Sequence, residues 1–390
     1  MSKSYYSLGL MSGTSMDGVD ASIIQSDGKD QYKAILDKYF EYPKNIFEDL
    51  TKLKDKIKSA KDLKRFEKQT KSIEKKITLF HGKAINKILK KLKVNVDFIG
   101  FHGQTIFHNG KEKISKQLGD GNLLSKLTKK TVVYNFRQND LKNGGEGAPL
   151  TPIFHKLLVD QNKIDLPVII LNIGGIANIT CIDHKKTISS YDVGPGNCLI
   201  DEWIRLNSKN KNKYDKNGKI AQSGKTNSKI LKKAIKKFNK LEDQKQLSFD
   251  VRDFDLSFAR SLSLKNGAAT LTDFTGQLLA QAINSELDLI FGNGRWGKEK
   301  IFSGCRILIC GGGRKNKTLM KLIKKNIHKP FFMVIDKFEL IDIYNIDGDF
   351  VESQAFAYLA IRSFLKLPIS FPKTTGCKVP CTGGVIIKNF

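Results

Sequence analysis

Apolar and polar positions alternate through the first forty residues in three runs, "YYSLGL", "VDASIIQ" and "QYKAILDKYFEY", and this period of two with β-branched residues predicts three strands. Between the first two lies "GLMSGTSMDGVD", Gly9 to Asp20, a turn crowded with glycine, hydroxyl and carboxylate groups. After Pro43 the period lengthens. Two helical stretches are expected, the second crossing a lysine-rich segment to about Leu92, with Ile57, Phe66, Ile73, Ile77 and Phe80 at near-helical intervals. "VDFIGFHGQT" then returns to an apolar strand that ends in polar residues, and strands and helices alternate onward, the mark of α/β architecture.

The opening design occurs again in "VIILNIGGIANITCID": an apolar strand, a glycine turn, a small polar residue and a second strand. Two such hairpins suggest an internal duplication. A third glycine element, "RILICGGGRKNKTLMKLIKK", reads as strand, triple-glycine turn and amphipathic helix, a geometry that brings backbone N–H groups close to a ligand.

The chain has 390 residues, 40% of them hydrophobic, enough for two domains with their own cores. No stretch approaches the ~20 apolar residues of a membrane helix, and the start "MSKSYYSLGL" lacks a secretory apolar core, so a cytoplasmic protein without a membrane partner is expected. Six cysteines without C-x-x-C spacing read as reduced structural thiols. The net charge of +28 raises nucleic-acid binding as a rival reading. Only nine of the 67 basic residues are arginine, however, and bidentate readout of phosphates and bases favours arginine. The basicity therefore reads as a solvated lysine coat, with no nucleic-acid partner.

Candidate chemistry gathers at the glycine turns. A glycine-rich hairpin lets several backbone amides converge on an anion, and Ser12, Thr14 and Ser15 add hydroxyls to the first. Asp17 would repel bare phosphate but suits a magnesium-bound nucleotide, because Mg2+ prefers hard oxygen ligands. The bland alternative is a turn whose Asp and Ser satisfy local amides. The whole stretch Gly13, Thr14, Ser15, Met16, Asp17, Gly18, Val19 and Asp20 is the expected ATP hairpin, with Asp17 the metal ligand. Gly174, Gly175 and Asn178 form the second phosphate hairpin, and Gly311, Gly312, Gly313 and Asn316 belong to the adenosine side. His102 and Gln104 end an apolar strand, from which polar side chains can reach a cleft beyond the sheet's edge; a satisfied structural histidine is the alternative. Asp192 stands between "ISSY" and the turn "VGPGN", which can project a carboxylate; its rival role is a turn cap before a helix beginning near Asn197. No P-loop and no H-R-D kinase loop occurs.

Taken in order, "GLMSGTSMDGVDA", "FHGQTIFH", "NGGEGAPLTPIFH", "LNIGGIANIT", "DVGPGNCLID", "CGGGRKN" and "ESQAFAYLA" resemble the anhydro-N-acetylmuramic acid kinase family across nearly the entire chain. The resemblance implies two RNase H-like α/β domains of actin-like ATPase architecture around a cleft that closes on ATP and sugar. Lobe bounds of 1–130 plus 367–390 and of 131–366 are expected. It implies that 1,6-anhydro-N-acetylmuramate, ATP and water become N-acetylmuramate 6-phosphate and ADP, with Mg2+, in cell-wall recycling, and that the protein is a homodimer. It puts the water-activating base at Asp192 and a sugar contact at Glu352, where capping the helix "ESQAFAYLAIRSFL" is the alternative. On that substrate, the Arg137 guanidinium suits the lactyl carboxylate, and Asp140 lies on the same loop. Three features depart from the family pattern: Val193 where threonine is usual, Asn135 where aspartate is usual, and the ending "TGCKVPCTGG". Losing the hydroxyl at 193 is expected to cost about 1 kcal/mol in tuning. Another amino-sugar kinase of the same superfamily, with Asp192 activating a substrate hydroxyl directly, is the nearest rival.

Overall fold

A computed structural model describes residues 3–92, 94–209, 211–242, 247–291, 304–328 and 335–390. Its strands are β1 (Tyr5–Ser12), β2 (Gly18–Ser26), β3 (Tyr32–Glu41), β4 (Phe98–Asn109), β5 (Ile114–Leu118) and β6 (Thr131–Tyr134). They continue as β7 (Val168–Ile173), β8 (Ile176–Ile182), β9 (Ile188–Pro195), β10 (Cys305–Cys310), β11 (Ile335–Leu340) and β12 (Val385–Ile387). Two compact units result, residues 1–163 with 350–390, and residues 164–349.

These bounds differ from the expected 130/131 and 366/367. The strand β6 belongs to the first unit because it hydrogen-bonds in parallel to β4, Phe98 opposite Thr131 and Phe101 opposite Tyr134. The helix Val351–Phe364 belongs there because it packs on β1, β2 and β4. A hydrophobic reading of the helix alone gives no hint of which sheet it covers.

The two sheets follow one plan. In the first, an antiparallel meander β1-β2-β3 continues on its other side through parallel β4 and β6, giving the order β12-β6-β4-β1-β2-β3. In the second, the meander β7-β8-β9 continues through parallel β10 and β11, giving β11-β10-β7-β8-β9. This bears out the duplicated hairpin and the paired α/β plan, since each copy starts at the hairpin that the sequence repeats. The buried runs explain the order: β7 and the last four residues of β10 are buried throughout, as strands with neighbours on both sides must be.

The lysine-rich segment forms three helices, Lys44–Lys56, Ala60–Arg65 and Glu67–Leu89, where two were expected. Ser59 and Asp62 form a reciprocal capping box that starts a new helix inside the amphipathic run. Beneath the lysines, Leu50, Leu53, Ile57, Ile73 and Ile77 make a buried apolar cluster with Met16 and Phe107. Among the described residues no helix is long and apolar enough to cross a membrane.

Candidate active site

The candidate residues divide between the units. In the first, the β1-β2 turn is held from below: Ser12 Oγ lies 2.8 Å from the Tyr42 hydroxyl and 3.3 Å from His81 Nε2. His81 Nδ1 donates to the Ile77 carbonyl at 2.8 Å, so Nε2 is the accepting nitrogen. Burial lowers the His81 pKa to about 4, which keeps the ring neutral in this role. Neither Tyr42 nor His81 is signalled by the motif, because both reach the turn from other elements.

Inside the turn, Met16 has φ +59° and its side chain is buried in the apolar cluster, and Val19 is buried in the sheet core. These two side chains pack; only their backbone can serve a ligand. Gly18 sits where a Cβ would strike Phe40 and Tyr39. Asp17 Oδ1 accepts from the Ser15 hydroxyl at 2.5 Å, and its backbone carbonyl accepts from Tyr42 N–H at 2.8 Å. The turn therefore contains the local bonds that the bland reading demands, yet not all of its polar atoms are used. Thr14 Oγ1 is buried without a hydrogen-bond partner. Gln104 Nε2 donates to the Gly13 carbonyl at 2.9 Å while Gln104 Oε1 is likewise buried and unpartnered. Buried polar atoms left unpaired cost about 1–3 kcal/mol each, so this pair, one in the turn and one on β4 beside it, leaves hydrogen-bonding capacity that the protein itself does not use.

His102 and Gln104 lie in the middle of β4, not at its end. Gly103, at φ +77°, bulges the strand so that Leu10 opposes Phe101 and Ser12 opposes Gln104. His102 Nδ1 donates to the Gly103 carbonyl at 2.8 Å, and Nε2 accepts from Arg137 Nη2 at 3.0 Å. Burial and the Arg137 cation push the His102 pKa well below its usual value. Arg137 also donates to the Gly147 carbonyl at 2.9 Å. Glu352, in the first turn of its helix, makes no capping bond; desolvation raises its carboxyl pKa and the Arg137 charge opposes that rise. The structure thus brings His102, Arg137 and Glu352 into one electrostatic neighbourhood. Asp140 lies not on a loop but buried in the short helix Gln138–Lys142: its Oδ2 accepts from Gly147 N–H at 2.7 Å and its Oδ1 from the Thr375 hydroxyl at 2.6 Å. It latches the "GGEGAPL" turn instead of projecting from it. Asn135 has φ +60°, a conformation asparagine tolerates well.

In the second unit, Asp192 lies in β9 opposite Asn178, at a register shift between Ala177 and Asn178. Its backbone N–H donates to the Leu247 carbonyl at 2.8 Å, and its Oδ2 accepts from Phe249 N–H at 2.9 Å. The carboxylate is thus oriented by a loop far along the chain and is not the cap of the helix Cys198–Asn207, whose N-cap is Asn197. Val193 is buried in the core of the sheet. The side chain at this position packs in the core, so the valine fills it without the unpaired hydroxyl a threonine would bring there. Asn178 Oδ1 is buried and unpartnered, the second unit's counterpart of Thr14 and Gln104.

The glycines sort into two kinds. Gly311 has φ +79°, and a Cβ at Gly313 would overlap Ile173, so both serve the fold. A Cβ at Gly312 would meet nothing within 4 Å; at Gly13 only Ser15 Oγ at 3.9 Å; at Gly174 only the Ile176 carbonyl at 3.3 Å. With no positive φ there and nothing nearer than ordinary contact, Gly312 and Gly13 leave room beside them, whereas a methyl group at Gly174 would press on the Ile176 carbonyl. Asn316 caps the helix Lys317–Asn326, accepting from Leu319 N–H at 3.0 Å. Arg314, which the motif did not single out, clamps the turn: it is buried, forks onto Asp342 at 2.9 and 2.8 Å, and bonds Asp349.

The family profile described as anhydro-N-acetylmuramic acid kinase matches residues 5–389. A protein of that name from Pelagibacter ubique is 55% identical over the full length of both chains. One from Zymomonas mobilis is 36% identical, covering 97% of this chain and 98% of its own. Among solved structures, an ethanolamine utilization protein from Carboxydothermus hydrogenoformans matches with a TM-score of 0.41 at 9% identity, covering 91% of this chain and 89% of its own.

Proposed function

The chain belongs to the anhydro-N-acetylmuramic acid kinase family, and from that premise we propose that it opens 1,6-anhydro-N-acetylmuramate with water and phosphorylates the released 6-oxygen from ATP. The observation that supports the assignment of residues is the pair of buried, unpartnered oxygens Thr14 Oγ1 and Gln104 Oε1 at Gly13; in the second unit Asn178 Oδ1 is likewise unpartnered.

Asp192 is the base. Its Oδ2 is fixed by the Phe249 amide, which holds the carboxylate in one rotamer and leaves it to orient water at the anomeric carbon and take its proton. As the new C1–O bond forms, the C1–O6 bond breaks, and O6 takes the γ-phosphoryl group with ADP leaving. Thr14, Ser15 and the glycines Gly13, Gly174 and Gly312 accommodate the phosphates, through hydroxyls, backbone amides and, at Gly13 and Gly312, open space beside the backbone. Bound Mg2+ would neutralise charge building on the transferring phosphoryl group, and Asp17, a half-buried carboxylate at the turn, is the residue to hold it or its water shell. Gln104, His102, Arg137 and Glu352 serve the sugar: the neutral His102 steadies the Arg137 guanidinium that pairs with the lactyl carboxylate. Asp140 contributes by latching the loop. Peptidoglycan recycling is the context this substrate belongs to, and a homodimer, the state the family resemblance implies, completes the reading.

Turnover in 18O-water with anhydromuramate and ATP tests the coupled chemistry. The label is expected at the anomeric oxygen of the phosphorylated product. Phosphorylated sugar without label would reject ring opening by water and favour an amino-sugar kinase that activates a substrate hydroxyl directly.

A further inference from the structure

Outside the kinase residues, the C-terminal loop closes a second polar cluster inside the first unit. Cys377 and Cys381 are both buried free thiols, 2% and 4% exposed, and their sulfurs and a carboxylate oxygen of Asp140 all lie within 4.8 Å of one another. The backbone fixes all three. Gly376, at φ +74°, ends the short helix Pro372–Thr375 and turns Cys377 inward. Cys381 is bridged on both sides, its N–H to the Ser370 carbonyl at 3.0 Å and its carbonyl to Ile369 N–H at 2.8 Å. The turn after the helix carrying Asp140 is joined to the same segment by Lys378 N–H donating to the Asn143 carbonyl at 3.1 Å and Glu146 N–H to the Thr375 carbonyl at 2.7 Å. Each carboxylate oxygen of Asp140 accepts one hydrogen bond and keeps a lone pair. Independently, Ser370 is fully buried, its hydroxyl lies against the Cys381 thiol, and its oxygen has no hydrogen-bond partner of good geometry.

We propose that Cys377, Cys381 and Asp140 bind one thiophilic divalent cation of the zinc class, which staples the C-terminal loop to the segment that carries Arg137 and the "GGEGAPL" turn. Two sulfurs and one carboxylate oxygen are donors zinc accepts in tetrahedral sites, and the Ser370 side supplies the fourth position. Binding releases two thiol protons: the cation, two thiols and one carboxylate become a complex with two thiolate bonds and one carboxylate bond. A disulfide would join the two sulfurs but would leave the Ser370 hydroxyl unpartnered and the convergence of a carboxylate on both sulfurs unused. A C-x-x-C search misses this site because three residues, Lys378 to Pro380, separate the two cysteines, and its third donor comes from a distant part of the chain.

The test uses the full-length protein, fully reduced, stripped of metal and titrated anaerobically with Co2+. One equivalent is expected to bind with thiolate-to-cobalt charge-transfer absorption and the visible d–d bands of a tetrahedral site, both abolished by Zn2+. Outer-shell changes at metal sites already cost about 10–100-fold in affinity, so Cys377→Ser and Cys381→Ser should each weaken binding at least ~100-fold. Circular dichroism of each variant without metal separates lost ligation from lost folding, and if both serine variants unfold, the wild-type absorption bands decide alone. Substoichiometric uptake, octahedral spectra without charge transfer, or binding unchanged in both folded serine variants would overturn the site. So would a Cys377–Cys381 disulfide in the isolated protein coupled with no Co2+ uptake after its reduction.

Discussion

The two units share a strand order and fill it in opposite ways. In the second, large aliphatic side chains meet across the layer: Ile169, Leu171, Ile307 and Ile309 of the sheet join Leu279, Ile283, Leu319 and Ile323 of the helices in one cluster. In the first, the helix Val351–Phe364 lies almost backbone to backbone on the sheet. A Cβ at Gly9 would overlap the Ser353 carbonyl, and one at Gly100 the Phe356 carbonyl, with Ala357 and Ala360 also at these contacts. The first unit also buries four histidines, His81, His102, His108 and His155, whereas His184 and His328 of the second are exposed. The second unit buries charged groups as well, Asp192, Asp215, Glu286 and Arg314 among them, but no histidine among its described residues. One topology can thus be stabilised by volume or by close approach, and among the described residues only the close-approach version buries histidines.

The sharpest test of this division is Asp192→Asn. The amide keeps the shape and the Phe249 hydrogen bond but cannot take a proton, so kcat should fall about 100- to 10,000-fold with ATP affinity and thermal stability nearly unchanged. Near-wild-type turnover in a coupled ADP assay would remove Asp192 from the base role.

Glycine substitutions probe the packing difference next. Gly9→Ala forces a methyl group into helix backbone and should destabilise the first unit by about 3 kcal/mol or more, read as a lower denaturant midpoint. Gly312→Ala, with open space beside it, should leave that midpoint unmoved while weakening ATP binding; a stability loss matching that of Gly9→Ala would erase the distinction between folding and ligand glycines.

Acid should also separate the units. Burial lowers His81 and His155 to about 4, while the unfolded chain titrates near 6.5. The unfolded state therefore takes up protons first, and stability is lost as pH falls from about 6.5 to about 4, by up to ~3 kcal/mol per histidine. His102, pushed down by burial and Arg137, adds to the loss in the same direction. Hydrogen exchange corrected for intrinsic rates should show first-unit amides losing protection at pH 5 well before those of the second; equal loss would contradict the assignment. The smallest effect belongs to Asn316→Ala, which removes a helix cap worth about 1 kcal/mol and should lower the melting temperature by a few degrees or less.

Much of this protein follows from local pattern. Period-two alternation and glycine punctuation determined the first meander and the β7-β8 hairpin, because strand pleat acts over a few neighbouring residues, but not β9, the strand that carries Asp192. The ordered motifs determined the family. What tertiary structure alone decided is which partners complete each turn. Ser12 is held by Tyr42 and His81, Asp192 by Phe249, and Asp140 joins Thr375 and the two C-terminal cysteines. Lone pairs, burial and ligand geometry depend on atoms brought together from distant stretches, and no periodicity along the chain records those distances.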